Sequence, residues 1–114
     1  MPYIQTKVSV SITPEQEMNM KKQMGKAISL LPGKSERWLM AEFVDNCRLY
    51  FQGNADSPSA FIEVRLYGKA AETAYNELTG ALSAIVTEQL GIPRDRIYVQ
   101  YQETPYWGWN GQNV

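Results

Sequence analysis

The sequence predicts an α+β fold made of two βαβ units, whose four strands form one mixed sheet with two helices on one face. Two patterns lead there. Strand-period alternation at Met1–Val10 and at Ala60–Tyr67 is followed each time by a helical stripe and then by a second strand. The separation of Leu31 from Leu90 also carries Glu36-Arg37-Trp38 onto Asp95-Arg96-Ile97, which reads as an internal duplication of one unit. Right-handed crossovers between parallel strands then put both helices on the same side of the sheet. At 114 residues the chain is expected to form a single domain, residues 1–114.

Each element follows from local chemistry. In the first strand Ile4, Thr6, Val8 and Val10 share one face, with Tyr3, Gln5, Lys7 and Ser9 on the other. Thr13-Pro14-Glu15-Gln16 supplies an N-cap, a proline at the first helical position and a capping-box glutamine. The helix it opens buries Met20, Met24, Ala27, Ile28 and Leu31, and Pro32-Gly33 stops it. A second strand is expected at about Trp38–Asp45 and a short edge strand at Arg48–Phe51, followed by a polar turn over Gly53–Ser59. Ala60–Tyr67 alternates Ile62, Val64 and Leu66 against Phe61, Glu63, Arg65 and Tyr67. The second helix, about Ala70–Leu90, carries Ala71, Ala74, Leu78, Leu82 and Ile85 and ends at Gly91. A last strand follows at Ile97–Gln102, and the tail Thr104–Val114 is aromatic and turn-rich.

Composition removes several kinds of chemistry. Eleven basic and twelve acidic residues give a net charge of −1, which is no footprint for nucleic acid. No apolar run suits a membrane span and no secretory leader is evident, so a cytoplasmic location is expected. The single Cys47 excludes an internal disulfide and a C-x-x-C redox pair. Histidine is absent, which excludes catalytic triads and metal centres that depend on imidazole.

The two sheet faces differ in character. Ile4, Val8, Leu39, Phe43, Ile62, Val64, Leu66, Ile97 and Val99 form an aliphatic set suited to the helices. The opposite set, including Tyr3, Trp38, Met40, Glu42, Arg65, Tyr67, Tyr98 and Gln100, mixes aromatic and charged groups. Such a face suits either a wet cavity between subunits or an ordinary half-exposed sheet.

Without histidine, few groups titrate near neutrality; the α-amino group does, with an unperturbed pKa of about 7.7–8.0. Removal of Met1 would leave Pro2 as a secondary amine at the head of a strand, where burial and a nearby cation would keep it neutral. The other reading of Pro2 is a tolerated strand-start residue. Lys34, just past the first helix, either complements the helix dipole or anchors a carboxylate. Trp107 and Trp109 read as buried or interface anchors, and Cys47 as an inert small residue.

Pro2 directly after Met1, Gly33-Lys34 at the close of the first helix, Asp95-Arg96-Ile97-Tyr98 opening the last strand and the Gly108-Trp109-Asn110 tail together resemble the macrophage migration inhibitory factor family, within the tautomerase superfamily. The resemblance spans essentially the whole chain. It implies duplicated βαβ units, a homotrimer around a central channel and active sites at subunit interfaces. It also implies that Pro2 is the proton-transferring base and Lys34 the active-site lysine. Tyr98 matches the pocket tyrosine supplied by a neighbouring subunit, Trp38 the aromatic near the second strand, and Trp109 the tail tryptophan.

Three departures accompany the resemblance. Gln100 stands where asparagine is usual, which keeps the amide but lengthens its reach. Tyr67 stands where isoleucine commonly offers its backbone N–H to substrate, giving a bulkier pocket wall. The C-x-x-C of some members falls on Ser59-Ala60-Phe61-Ile62, so thiol-disulfide activity does not carry over.

The expected activity is cofactor-independent keto–enol tautomerism of an aryl pyruvate, with Arg65 assisting Lys34 at the carboxylate. The alternative is a cytokine-like or host-interaction protein with a vestigial pocket, whose partner is a protein receptor and which leaves the cell without a signal peptide. A third reading, isomerisation of an unsaturated dicarboxylate, needs further arginines, and Arg65 is the one candidate on that sheet face.

Overall fold

The computed structural model describes residues 1–114. Strand β1 (Pro2–Val8) leads into helix α1 (Pro14–Ala27) and strand β2 (Met40–Val44). Strand β3 (Ala60–Tyr67), helix α2 (Glu72–Leu90) and strand β4 (Ile97–Thr104) repeat that order. The sheet runs β2-β1-β3-β4, with β1 parallel to β2, β3 parallel to β4, and the two central strands antiparallel. This is the duplicated arrangement expected. Short 3-10 turns at Glu36–Trp38 and Arg94–Arg96 stand at equivalent places, just ahead of β2 and β4.

Capping and periodicity explain the helices. Thr13 Oγ1 accepts from the Gln16 N–H at 3.1 Å, and Gln16 Oε1 accepts from the Thr13 N–H at 2.9 Å, so the capping box is complete. After Ala27 the chain tightens into a 3-10 turn, Ile28–Leu30, so the predicted end of the first helix at Leu31 is reached in two geometries. Helix α2 ends at Gly91, whose N–H makes the last helical bond to the Thr87 carbonyl and whose φ of +71° turns the chain out of the helix. The helices cover one sheet face. Met20, Met24, Ile28 and Leu31 join Leu78, Leu82, Ile85 and Val86 over Ile4, Val8, Ile62, Val64 and Leu66 in one core. Leu39, Phe43, Ile97 and Val99 pack at its margins. No helix is long and apolar enough to cross a membrane.

Three local expectations change, and a fourth gains detail. The first strand ends at Val8, because Ser9 turns to exchange hydrogen bonds with Ser59. Trp38 lies in a 3-10 turn and not in the second strand, which begins at Met40; the Trp38 and Leu39 N–H groups bond back to Ser35 and Glu36. Arg48–Phe51 is no edge strand. Gln52 and Gly53 both take positive φ, and the resulting tight turn pairs Phe51 with Asn54 alone. The tail holds a second turn of this kind at Asn110-Gly111, which closes a small hairpin of β5 (Gly108–Trp109) and β6 (Gln112–Asn113).

The cap and the core should separate in a urea titration. Thr13→Ala is expected to cost about 1 kcal/mol through loss of one capped N–H. Leu82→Ala, which opens a cavity between α2 and the sheet, should cost roughly 2–5 kcal/mol. Equal losses at the two positions would contradict this packing.

Candidate functional site

The amino-terminal end of β1 lies where three parts of the chain converge. Pro2 is buried as the first residue of β1, a place where a missing N–H breaks no ladder. The ladder continues outward through Met1, whose carbonyl accepts from the Tyr67 N–H at 3.3 Å. Lys34 reaches the same spot from the other side. Gly33, with φ of +79°, turns the chain after the first helix, and the Lys34 Nζ then donates to the Tyr67 carbonyl at 2.8 Å. The tail hairpin closes the third side, where the Tyr67 hydroxyl donates to the Val114 carbonyl at 3.3 Å.

These elements surround a cavity of about 390 Å³ lined by Pro2, Tyr3, Trp38, Met40, Arg65 and Trp109, with Met1, Trp107 and Gly108. Trp38 and Trp109 meet edge to face at 5.1 Å between ring centroids, which ties the turn before β2 to the tail hairpin. The Arg37 guanidinium lies 5.1 Å from the Trp38 ring. Arg65 is already engaged: it pairs with Glu63 at 3.0 Å and lies 5.8 Å over the Tyr3 ring. The Tyr3 hydroxyl and the Gln5 amide both donate to Glu42, which raises the tyrosine and lowers the carboxyl from their usual values.

Electrostatics single out the terminal amine. Partial burial first, and then the positive charge of the neighbouring Lys34, hold the Met1 amine below the usual α-amino value of about 8. Both influences disfavour the protonated form, so an amine at this end of the chain is drawn toward its neutral, basic state.

Of the residues expected from the sequence, Pro2, Lys34, Trp38, Arg65, Tyr67 and Trp109 come together at this end of the sheet. Tyr98 and Gln100 do not. Pro2 pairs with Leu66, whereas Tyr98 pairs with Phe61 and Gln100 with Glu63, well down the sheet and one strand further out. Tyr98 lies at a separate cavity of about 270 Å³ with Tyr50, Phe51, Phe61 and Arg96. Sequence reasoning missed Tyr3, Met40 and Trp107 as lining residues. The first two were legible as neighbours on the mixed face, and they face each other in register. Trp107 depends on the hairpin that the Asn110-Gly111 turn makes, the one signal that could have placed it.

Comparison with known proteins agrees with this arrangement over the full length. A family model described as macrophage migration inhibitory factor matches residues 1–114. Among solved structures, MIF2 of Leishmania major is 36% identical with a TM-score of 0.92, covering 100% of this chain and 97% of its own. The macrophage migration inhibitory factor homologue of Prochlorococcus marinus is 28% identical, with a TM-score of 0.87 and 97% of each chain covered. A fused 4-OT, solved as a symmetric trimer, shares the fold at 18% identity and a TM-score of 0.83, over 97% of this chain and 94% of that one. No functionally curated protein matches the chain by sequence. A full-length family match and a relative more than a third identical in sequence leave one assignment: the chain belongs to the macrophage migration inhibitory factor family.

Proposed function

We propose that this protein is a tautomerase that interconverts the keto and enol forms of an aryl pyruvate, with the nitrogen of Pro2 as its base once Met1 is removed. The observation that carries the reading is the setting of the Met1 amine, which burial and then the charge of Lys34 hold below its usual pKa, next to a cavity walled by Trp38 and Trp109. While Met1 is attached, the Pro2 nitrogen is an amide and has no basicity. Removal of Met1 turns it into a secondary amine and also frees the Tyr67 N–H from the Met1 carbonyl.

In the proposed reaction the neutral Pro2 nitrogen takes the enol hydroxyl proton as the carbonyl forms, and its conjugate acid delivers a proton to the benzylic carbon. The reverse direction exchanges the two roles. Lys34 holds the carboxylate, with Arg65 on the far wall, and the Tyr67 N–H offers a further donor. Trp38 and Trp109 receive the ring and exclude water, which favours the neutral amine.

Tyr98 and Gln100 lie too far along the sheet to reach Pro2 in the same chain, and both are exposed on an outer strand. They serve in this reading as the contribution of a neighbouring subunit in a homotrimer, the assembly reported for the fused 4-OT of the same fold.

Phenylpyruvate ketonisation by protein of confirmed mass lacking Met1 tests the base. Pro2→Ala is expected to lower kcat/KM by at least about a hundredfold, the usual scale for losing a general acid–base group, and Lys34→Ala should act more weakly and mainly through KM. Equal small losses would remove Pro2 from the mechanism. No turnover by a properly processed trimer would instead favour a receptor-binding role. The pH profile supplies an independent check. A lowered amine pKa means the reactive neutral form accumulates as pH rises, so kcat/KM should climb to a plateau with its inflection below about 8. A rate that falls with rising pH over that range would exclude a neutral amine as the base.

A further inference from the structure

One buried cation takes no part in the cavity around Pro2. Arg96 is 8% exposed at the close of the turn ahead of β4, and neither ion pair of the chain involves it. Its partners are almost all carbonyl oxygens of a single segment. Nε donates to the Pro58 carbonyl at 3.1 Å and to Ser59 Oγ at 3.0 Å. Nη1 donates to the Phe51 carbonyl at 3.4 Å and to Asn54 Oδ1 at 3.5 Å, and Nη2 to the Asn54 carbonyl at 3.1 Å. The planar fork suits such divergent acceptors in a way a lysine ammonium could not.

Beyond Arg96, the segment it binds is held by the Phe51–Asn54 bridge, by the Asp56 N–H donating to Asn54 Oδ1 and, at its end, by the exchange between Ser59 and Ser9; no sheet ladder runs through it. Arg96 also lies 5.3 Å from the centroid of the Phe51 ring. That ring meets Tyr98 edge to face at 5.0 Å, and Phe61 touches Tyr98 from another side at 6.3 Å. Tyr98 is 58% exposed on an outer strand, so these two rings are what restrict its side chain.

We infer that Arg96 is a positioning residue: by gathering the carbonyls of residues 51–59 it holds Phe51 against Tyr98 and so sets the direction in which the tyrosine is presented to substrate. The inference rests on the proposed function, in which Tyr98 contacts an aryl pyruvate bound at the neighbouring subunit. Arg96 acts through Phe51 and does not touch substrate itself.

The test compares Arg96→Met, Phe51→Leu and Tyr98→Ala by steady-state kinetics on phenylpyruvate, with the Tyr98 ring resonances followed by NMR in the first two. Both positioning variants should raise KM about three- to tenfold, the scale of one lost aromatic contact, with kcat and the pH inflection near wild type. The Tyr98 resonances should move in both. Unchanged KM and unmoved resonances in the folded variants would reduce Arg96 to a structural role and overturn the inference. Should Arg96→Met fail to fold, Phe51→Leu decides alone, because it keeps every hydrogen bond that Arg96 makes to the backbone. A raised KM in Tyr98→Ala beside a normal one in the positioning variants sinks the inference and leaves the tautomerase reading standing. An unchanged KM in Tyr98→Ala removes the tyrosine from substrate binding, and the inference falls with it.

Discussion

The antiparallel pairing of β1 with β3 is the constraint from which the rest of the molecule follows. It joins two βαβ units that could otherwise fold side by side in any relation. Once Ile4 faces Val64 and Thr6 faces Ile62, both crossover helices must lie on the same side, and they run antiparallel to one another. The Gln16 amide at the start of α1 accordingly donates to the Gln89 carbonyl at the end of α2. A slip of one residue in this register would turn Ile4, Val8 and the alternate positions of β3 out of the core, so the hydrophobic pattern and the pairing enforce each other.

That pairing also makes the candidate site. Because Pro2 stands opposite Leu66, the end of β3 falls beside the start of the chain, and Tyr67 becomes a junction. Its N–H, carbonyl and hydroxyl bond respectively to Met1, Lys34 and Val114, which come from the N-terminus, the exit of the first helix and the end of the tail. Tyrosine at this position therefore does more than crowd a wall, since its hydroxyl fastens the hairpin that carries Trp109. The backbone groups would serve equally with isoleucine there, but the link to the tail would be lost.

The far end of the sheet has a different economy of contacts. Polar groups there are satisfied by one buried arginine in place of strand pairing, and aromatic rings collect around the exposed Tyr98. The chain thus carries a cation-flanked amine at one end of its open sheet face and an aromatic cluster at the other. In the proposed function these two ends meet across neighbouring copies, Tyr98 of one completing the site at Pro2 of another.

Much of the fold was legible because its signals are local. The capping box at Thr13–Gln16, the stop at Gly33, the stripe Leu78-Leu82-Ile85 and the strict alternation of Ala60–Tyr67 each need only neighbouring residues to be read. The duplication then supplied the topology. The errors fell where backbone conformation outweighed side-chain pattern: positive φ at Gln52 and Gly53 broke an apparent strand, and a 3-10 turn took Trp38 out of the second strand. By itself, then, the sequence determined the two units, the helix-facing core and, through the absence of histidine, the α-amino group as a base expected near neutrality. Tertiary structure decided which charge meets that amine, because Lys34 shares its surroundings only through strand pairing and a chain reversal at Gly33. It likewise separated Tyr98 from Pro2, since which residues of paired strands face each other is set by register, a property of contacts between distant segments.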